Sequence, residues 1–147
     1  MSVAHLDVVG LGPAGPEWVH PAAEDAVAAA SDLVGYGPYL DRVAASGHRR
    51  HASDNREELE RARHALNLAA EGCRVALLSG GDPGIFAMAT AVCEVLEQTP
   101  ELGETVSVAM HPGVSALQAA AARTGAPLGN DFCTISLSDN LKPWSVI

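Results

Sequence analysis

The chain is short of positive charge: nine lysines and arginines against eighteen aspartates and glutamates leave a net charge of −9. A nucleic-acid-binding domain neutralises phosphates with a cationic surface, so this balance argues against that class. Cysteine is scarce. Cys73, Cys93 and Cys133 are odd in number, widely spaced and set among apolar residues. That pattern argues against a disulfide framework and a thiolate metal cage, and suits a reducing, cytoplasmic setting. There is no apolar run of about eighteen residues and no basic-plus-apolar leader, so neither a membrane span nor an export signal is expected. Repeats and low-complexity tracts are missing as well.

What is present suits one globular α/β domain: 147 residues, 48% apolar and 18% charged, enough to bury a sizeable core. Its organising stretch is Val75-Ala76-Leu77-Leu78-Ser79-Gly80-Gly81-Asp82-Pro83. The apolar run predicts a parallel strand buried on both faces, whose C-terminal end opens onto a crevice. Gly80 and Gly81 leave the main chain bare for a close approach, and Asp82-Pro83 has the chemistry of a helix start. N-capping accounts for the aspartate and proline but not for the paired glycines.

Elsewhere the patterns alternate. Strands are expected at 6–11, 33–36, 49–53 and 105–109, and helices at 21–30, 36–40, from Ser53-Asp54-Asn55 to Gly72, from Asp82 to Thr99, and from Ser115 to Arg123. Glu57 stands three residues after Asp54, as in a capping box, and Leu59, Ala62, Leu66 and Ala69 recur at helical spacing. This β-α-β order predicts a parallel sheet. A last strand is expected over 131–138.

Several local features have competing explanations. Gly10, Gly12 and Gly15 satisfy a dinucleotide-binding spacing, but Pro13 and Pro16 leave no helix beginning at the second glycine, and no ribose-binding acid follows the second strand. Gly113-Val114-Ser115 resembles half of a nucleophile elbow, with Leu117 where its second glycine belongs. Tyr36 and Tyr39 suit either a pocket or ordinary packing. Seven of the nine basic residues fall between Arg42 and Arg74, interpretable as a solvated helix face with pairs such as Glu57–Arg61 or as a site for a polyanionic small molecule. His111 and Asp131 stand near expected strand ends and are candidate acid/base groups, though a structural role accounts for each more simply.

Taken together, certain motifs resemble the tetrapyrrole methylases: Val9-Gly10-Leu11-Gly12-Pro13, Val34-Gly35-Tyr36, Ser53-Asp54-Asn55-Arg56-Glu57-Glu58-Leu59, Ser79-Gly80-Gly81-Asp82-Pro83-Gly84-Ile85-Phe86, Pro112-Gly113-Val114-Ser115-Ala116 and Ser138-Asp139-Asn140-Leu141-Lys142-Pro143-Trp144. The resemblance covers essentially the whole chain. It implies a largely parallel five-stranded sheet with helices on both faces, S-adenosyl-L-methionine as cofactor and a tetrapyrrole as substrate. It also implies a cofactor-binding domain over 1–130, and over 131–147 a last strand and connector to a second domain beyond this chain, with a homodimer when complete. Carried over by motif, the cofactor contacts are Pro13 in the first loop, Gly80, Gly81, Asp82 and Ile85 in the second, and Ser115 and Ala116 in the third. No catalytic residue, metal ligand, nucleic-acid partner or membrane partner is implied. Three positions depart from the family pattern: Ala14 interrupts Gly-Pro-Gly, His20 stands where a Thr or Ser cap is usual, and Asn130 replaces a histidine.

Overall fold

The computed structural model describes residues 4–43, 47–137 and 145. Two compact units divide the chain, Met1–Ala116 and Leu117–Ile147.

The first unit is built on five strands: β1 (Ala4–Gly10), β2 (Asp32–Tyr36), β3 (Arg49–Ser53), β4 (Arg74–Ser79) and β5 (Val106–His111). All pair in parallel, in the order β3-β2-β4-β1-β5. Continuous apolar runs are required because both faces of the sheet are covered. One face carries Leu6, Val8, Val75 and Leu77, packed with Ala62, Ala65 and Leu66 of α3 (Glu58–Ala70) and Val92 and Val95 of α4 (Met88–Gln98). The other carries Val9, Leu11, Leu33, Ala76 and Leu78 beneath Ala23, Ala26 and Val27 of α1 (Pro21–Ala29) and Leu40 of α2 (Gly37–Leu40). Alanines on α1 and α3 let those helices sit close, and each fully buried leucine contributes about 1.5–3 kcal/mol.

Local chemistry sets the boundaries. At the start of α1, the ring Nδ1 of His20 accepts the amide of Ala22 at 3.1 Å, so the histidine does the capping expected of Ser or Thr. Half of the capping box forms, from Asp54 N–H to Glu57 Oε2 at 3.2 Å, but α3 itself begins at Glu58. On α3, Ala62, Leu66 and Ala69 are buried as expected, whereas Leu59 is exposed.

Three expectations are corrected. The helix expected from Asp82 starts only at Met88, because Asp82 is engaged elsewhere and Phe86 takes a φ of +51° that no helix accommodates. After Thr99 a further short helix follows, α5 (Pro100–Thr105), before β5. Residues 131–137 are irregular and mostly exposed: an extended run becomes a strand only by pairing, and the sheet consists of the five strands above. The motif at 138–144 lies outside the described residues. In the second unit, α6 (Ala116–Thr124) ends at Gly125, whose φ of +66° is the usual left-handed stop.

The basic cluster disperses. Arg49 pairs with Asp32 and Arg50 with Asp41. Arg63 binds Gln98 and Thr99. Arg61 is buried, donating to Ser53 Oγ at 2.6 Å and to the Asp54 carbonyl, and burial lowers its pKa. The i,i+4 expectation therefore gives way to long-range straps. None of these four side chains joins a common anion site.

Candidate functional site

The loops that follow β4, β1 and β5 leave three adjacent strands at their C-terminal ends, where open α/β sheets place ligands. They interlock through main chain. Gly12 and Gly81 form an antiparallel bridge, Gly12 N–H to Gly81 O at 3.1 Å and Gly81 N–H to Gly12 O at 2.9 Å. Asp82 adds a second tie: one carboxylate oxygen accepts Gly84 N–H at 2.8 Å and the other accepts Gly113 N–H at 3.1 Å. The carboxylate thus joins the second loop to the third instead of capping a helix.

Most of the glycines in these loops make room for protein. A Cβ on Gly10 would lie 2.7 Å from Gly81 O and 2.9 Å from Gly113 N. On Gly12 it would strike Trp18, and on Gly80 the ring of Tyr39, 2.7 Å away. Tyr39, in edge contact with Tyr36, is therefore a packing residue behind Gly80. Gly81 differs: its φ is +61°, and a Cβ there would meet only Ser115, Val114 and Ala116 backbone atoms at 3.7–4.0 Å. There the second loop packs against the third at ordinary van der Waals distance, with room for no more than a methyl group on the bare main chain.

The sequence-derived contacts fall as follows. Pro13 directly follows the bridged Gly12. Gly80, Gly81 and Asp82 form the second loop, and the backbone of Ser115 and Ala116 packs beside Gly81, with Ser115 buried. Ile85 is 39% exposed and Phe86 60% exposed. The glycine spacing at 10–15 leads into a turn at Pro16–Trp18, and α1 begins only at Pro21, so no helix N-terminus stands at Gly12 for a dinucleotide pyrophosphate. Of the two acid/base candidates, His111 is held by Asp7, Nε2 to Oδ1 at 2.7 Å, while Asp131 is exposed in the second unit. The same Asp7 oxygen also meets His5 Nε2 at 3.0 Å. Sequence patterning passes over Asp7, although a charged residue amid an apolar strand is itself a signal.

Arg42, a neighbouring cavity and Trp18 back the first loop. Arg42 donates to Gly12 O at 3.1 Å and Leu11 O at 2.5 Å, and burial lowers its pKa, opposed by Tyr39 and Glu17. Beside it, between α1 and the residues after α2, lies a cavity of about 550 Å³. Trp18, packed against Gly12, buries its indole N–H without a hydrogen-bond partner among the described residues. At the sheet's far side Asp32 is fully buried. Arg49 grips both of its oxygens at 2.8 Å and, with Ser31 and His51, holds its pKa well below the usual carboxylate range against the opposing effect of burial.

The family model described as Tetrapyrrole (Corrin/Porphyrin) Methylases matches residues 5–146. The chain is 56% identical over 143 residues to the precorrin-3B C(17)-methyltransferase of a Sinorhizobium species, an alignment covering 97% of this chain and 56% of that protein. It is 42% identical over 144 residues to the probable cobalt-factor III C(17)-methyltransferase of Salmonella typhimurium, covering 97% and 58%. The crystal structure of the methyltransferase CobJ matches with a TM-score of 0.90 at 52% identity, covering 97% of this chain and 60% of that one. The chain thus spans little more than half the length of each.

Proposed function

The chain belongs to the tetrapyrrole (corrin/porphyrin) methylases, and from that premise we propose that it forms the cofactor-binding half of an enzyme transferring a methyl group from S-adenosyl-L-methionine to C17 of precorrin-3B, with ring contraction, in corrin biosynthesis. The observation that carries this reading is the meeting of three loops at the C-terminal ends of adjacent strands, with bare main chain at Gly81 clasped to Gly12 and packed beside Ser115 and Ala116. Relatives named for precorrin-3B and for cobalt-factor III are both similar; the higher identity to the former favours precorrin-3B as substrate.

When bound, the cofactor supplies an activated methyl group on a positively charged sulfur, which is also the leaving group. The protein therefore has little covalent work to do. Its task is to orient a carbon nucleophile in line behind that methyl and keep water out. Pro13, Gly80, Gly81, Asp82, Ile85, Ser115 and Ala116 would hold the cofactor, and the ties among the three loops fix those positions before it arrives. We place the rest of the cleft on a second domain, the complete enzyme as a homodimer, and its compartment as the cytoplasm; no described helix is long and apolar enough to cross a membrane.

Calorimetry with S-adenosylhomocysteine tests this. Weak or undetectable binding is expected for the 147-residue chain, and at least tenfold tighter binding once it is joined to the downstream half of the Sinorhizobium relative. Methyl transfer to precorrin-3B is expected only from the joined protein. A joined protein that binds but never methylates would favour a non-catalytic module retaining the fold. NADH fluorescence changing on mixing would instead point to an oxidoreductase.

A further inference from the structure

Arg42 carries a partly buried positive charge outside any close ion pair; Glu17 acts on it only from a longer range. Among the described residues no carboxylate lies within 4 Å of its guanidinium, and the sequence that follows Val43 is Ala-Ala-Ser. Its two hydrogen bonds go to carbonyls of Leu11 and Gly12. A guanidinium has five N–H donors, so capacity is left over. Desolvating a cation without an anionic partner costs free energy that a ligand's anion can recover.

The neighbouring cavity says what else that ligand has. Its volume, about 550 Å³, is in the range of small-molecule sites, roughly 300–1,000 Å³. Leu11, Val19, Val27 and Val43 make its walls apolar, and Arg42 is its cationic residue alongside His48. His48 Nδ1 is engaged with the Ala30 carbonyl at 2.9 Å. Glu24, at the start of α1, also lines the space and repels a negative ligand group from its own vicinity. On a chain of net charge −9, a polyanion is repelled over most of the surface, which makes a cation outside any close ion pair and beside an apolar wall a selective landing point.

We infer that this cavity receives a carboxylate-bearing arm of the flat macrocycle, the carboxylate pairing with Arg42 while the adjoining hydrocarbon lies on Leu11, Val27 and Val43. The inference rests on the reading above and adds to it where the substrate is anchored. Because Arg42 also grips the carbonyls of the first loop, a ligand bound here stiffens the loop that carries Pro13.

Uroporphyrin, a fluorescent and carboxylate-rich tetrapyrrole, serves as the probe, titrated into the 147-residue chain. Arg42→Met removes the charge. Ala28→Trp, at an exposed helix position on the cavity rim, obstructs the space and leaves Arg42 in place, which keeps the test valid should Arg42→Met fold poorly. Each is expected to weaken uroporphyrin at least tenfold, with inorganic phosphate at equal ionic strength unable to displace it. Undetectable binding to the wild type, unchanged binding in Ala28→Trp, or ready displacement by phosphate would each overturn the inference. S-adenosylhomocysteine calorimetry on the joined protein reports separately on the methyltransferase reading, so the two can fail independently.

Discussion

Gly12 and Gly81 exchange both of their main-chain hydrogen bonds, at 3.1 and 2.9 Å, although they lie in loops that leave different strands. A bridge between loops constrains each by the other, and neither loop can be altered alone.

Substitution at the glycines should separate crowding from backbone strain. Gly81→Ala meets no close atom but must hold φ at +61°, costing about 1 kcal/mol. Gly10→Ala collides with Gly81 O and Gly113 N and should cost about 3 kcal/mol or prevent folding. Urea denaturation measures both, and a Gly10 variant as stable as the Gly81 variant would contradict the crowding argument.

Phe86 runs the other way. Its φ of +51° is unfavourable for a bulky residue, and at 60% exposure its ring buries little. Phe86→Gly should raise stability by roughly 1 kcal/mol. A lowered melting temperature would mean that the ring packs more than its exposure suggests.

Asp82→Asn keeps the shape of the side chain and removes its charge. Two amides, of Gly84 and Gly113, lose a charged acceptor, at a cost of about 1–2 kcal/mol. Hydrogen exchange at the Gly113 amide should quicken by at least tenfold, while amides of α3 change only with global stability.

Acid should act first through Asp32. Its pKa is lower in the folded protein than in the unfolded chain, chiefly because Arg49 hydrogen-bonds the carboxylate. Such a group contributes its full stability at neutral pH and loses it as pH falls below the ordinary carboxylate range, about pH 4. Urea midpoints from pH 7 down to pH 2.5 should therefore fall more steeply for the wild type than for Asp32→Asn. Parallel curves would show that other carboxylates govern the acid limb.

The sheet was legible because its strands are apolar on both faces: the run at Val75–Leu78 could be little else, and β3 could be placed although only partly buried. Boundaries set by tertiary contacts were not. Nothing local announces that Asp82 will bind Gly113, thirty-one residues on, so a cap was the natural expectation and the start of α4 was placed six residues early. The extended composition of residues 131–137 indicated a strand, but pairing depends on an available edge. The paired glycines pointed to close approach, and what approaches is the protein itself: Tyr39 at Gly80 and the third loop's backbone at Gly81. The roles of Asp7 and, within the basic cluster, of Arg42 went unread because they come from partners distant in the chain.

Trp18 against Gly12 and Tyr39 against Gly80 are matched pairs, a large ring set into the gap left by a missing side chain. Transplanting this crevice to another scaffold would therefore require moving both rings with their glycines. Enlarging either glycine calls for trimming its counterpart in the same step, so homologous versions of the hollow should drift two positions at a time.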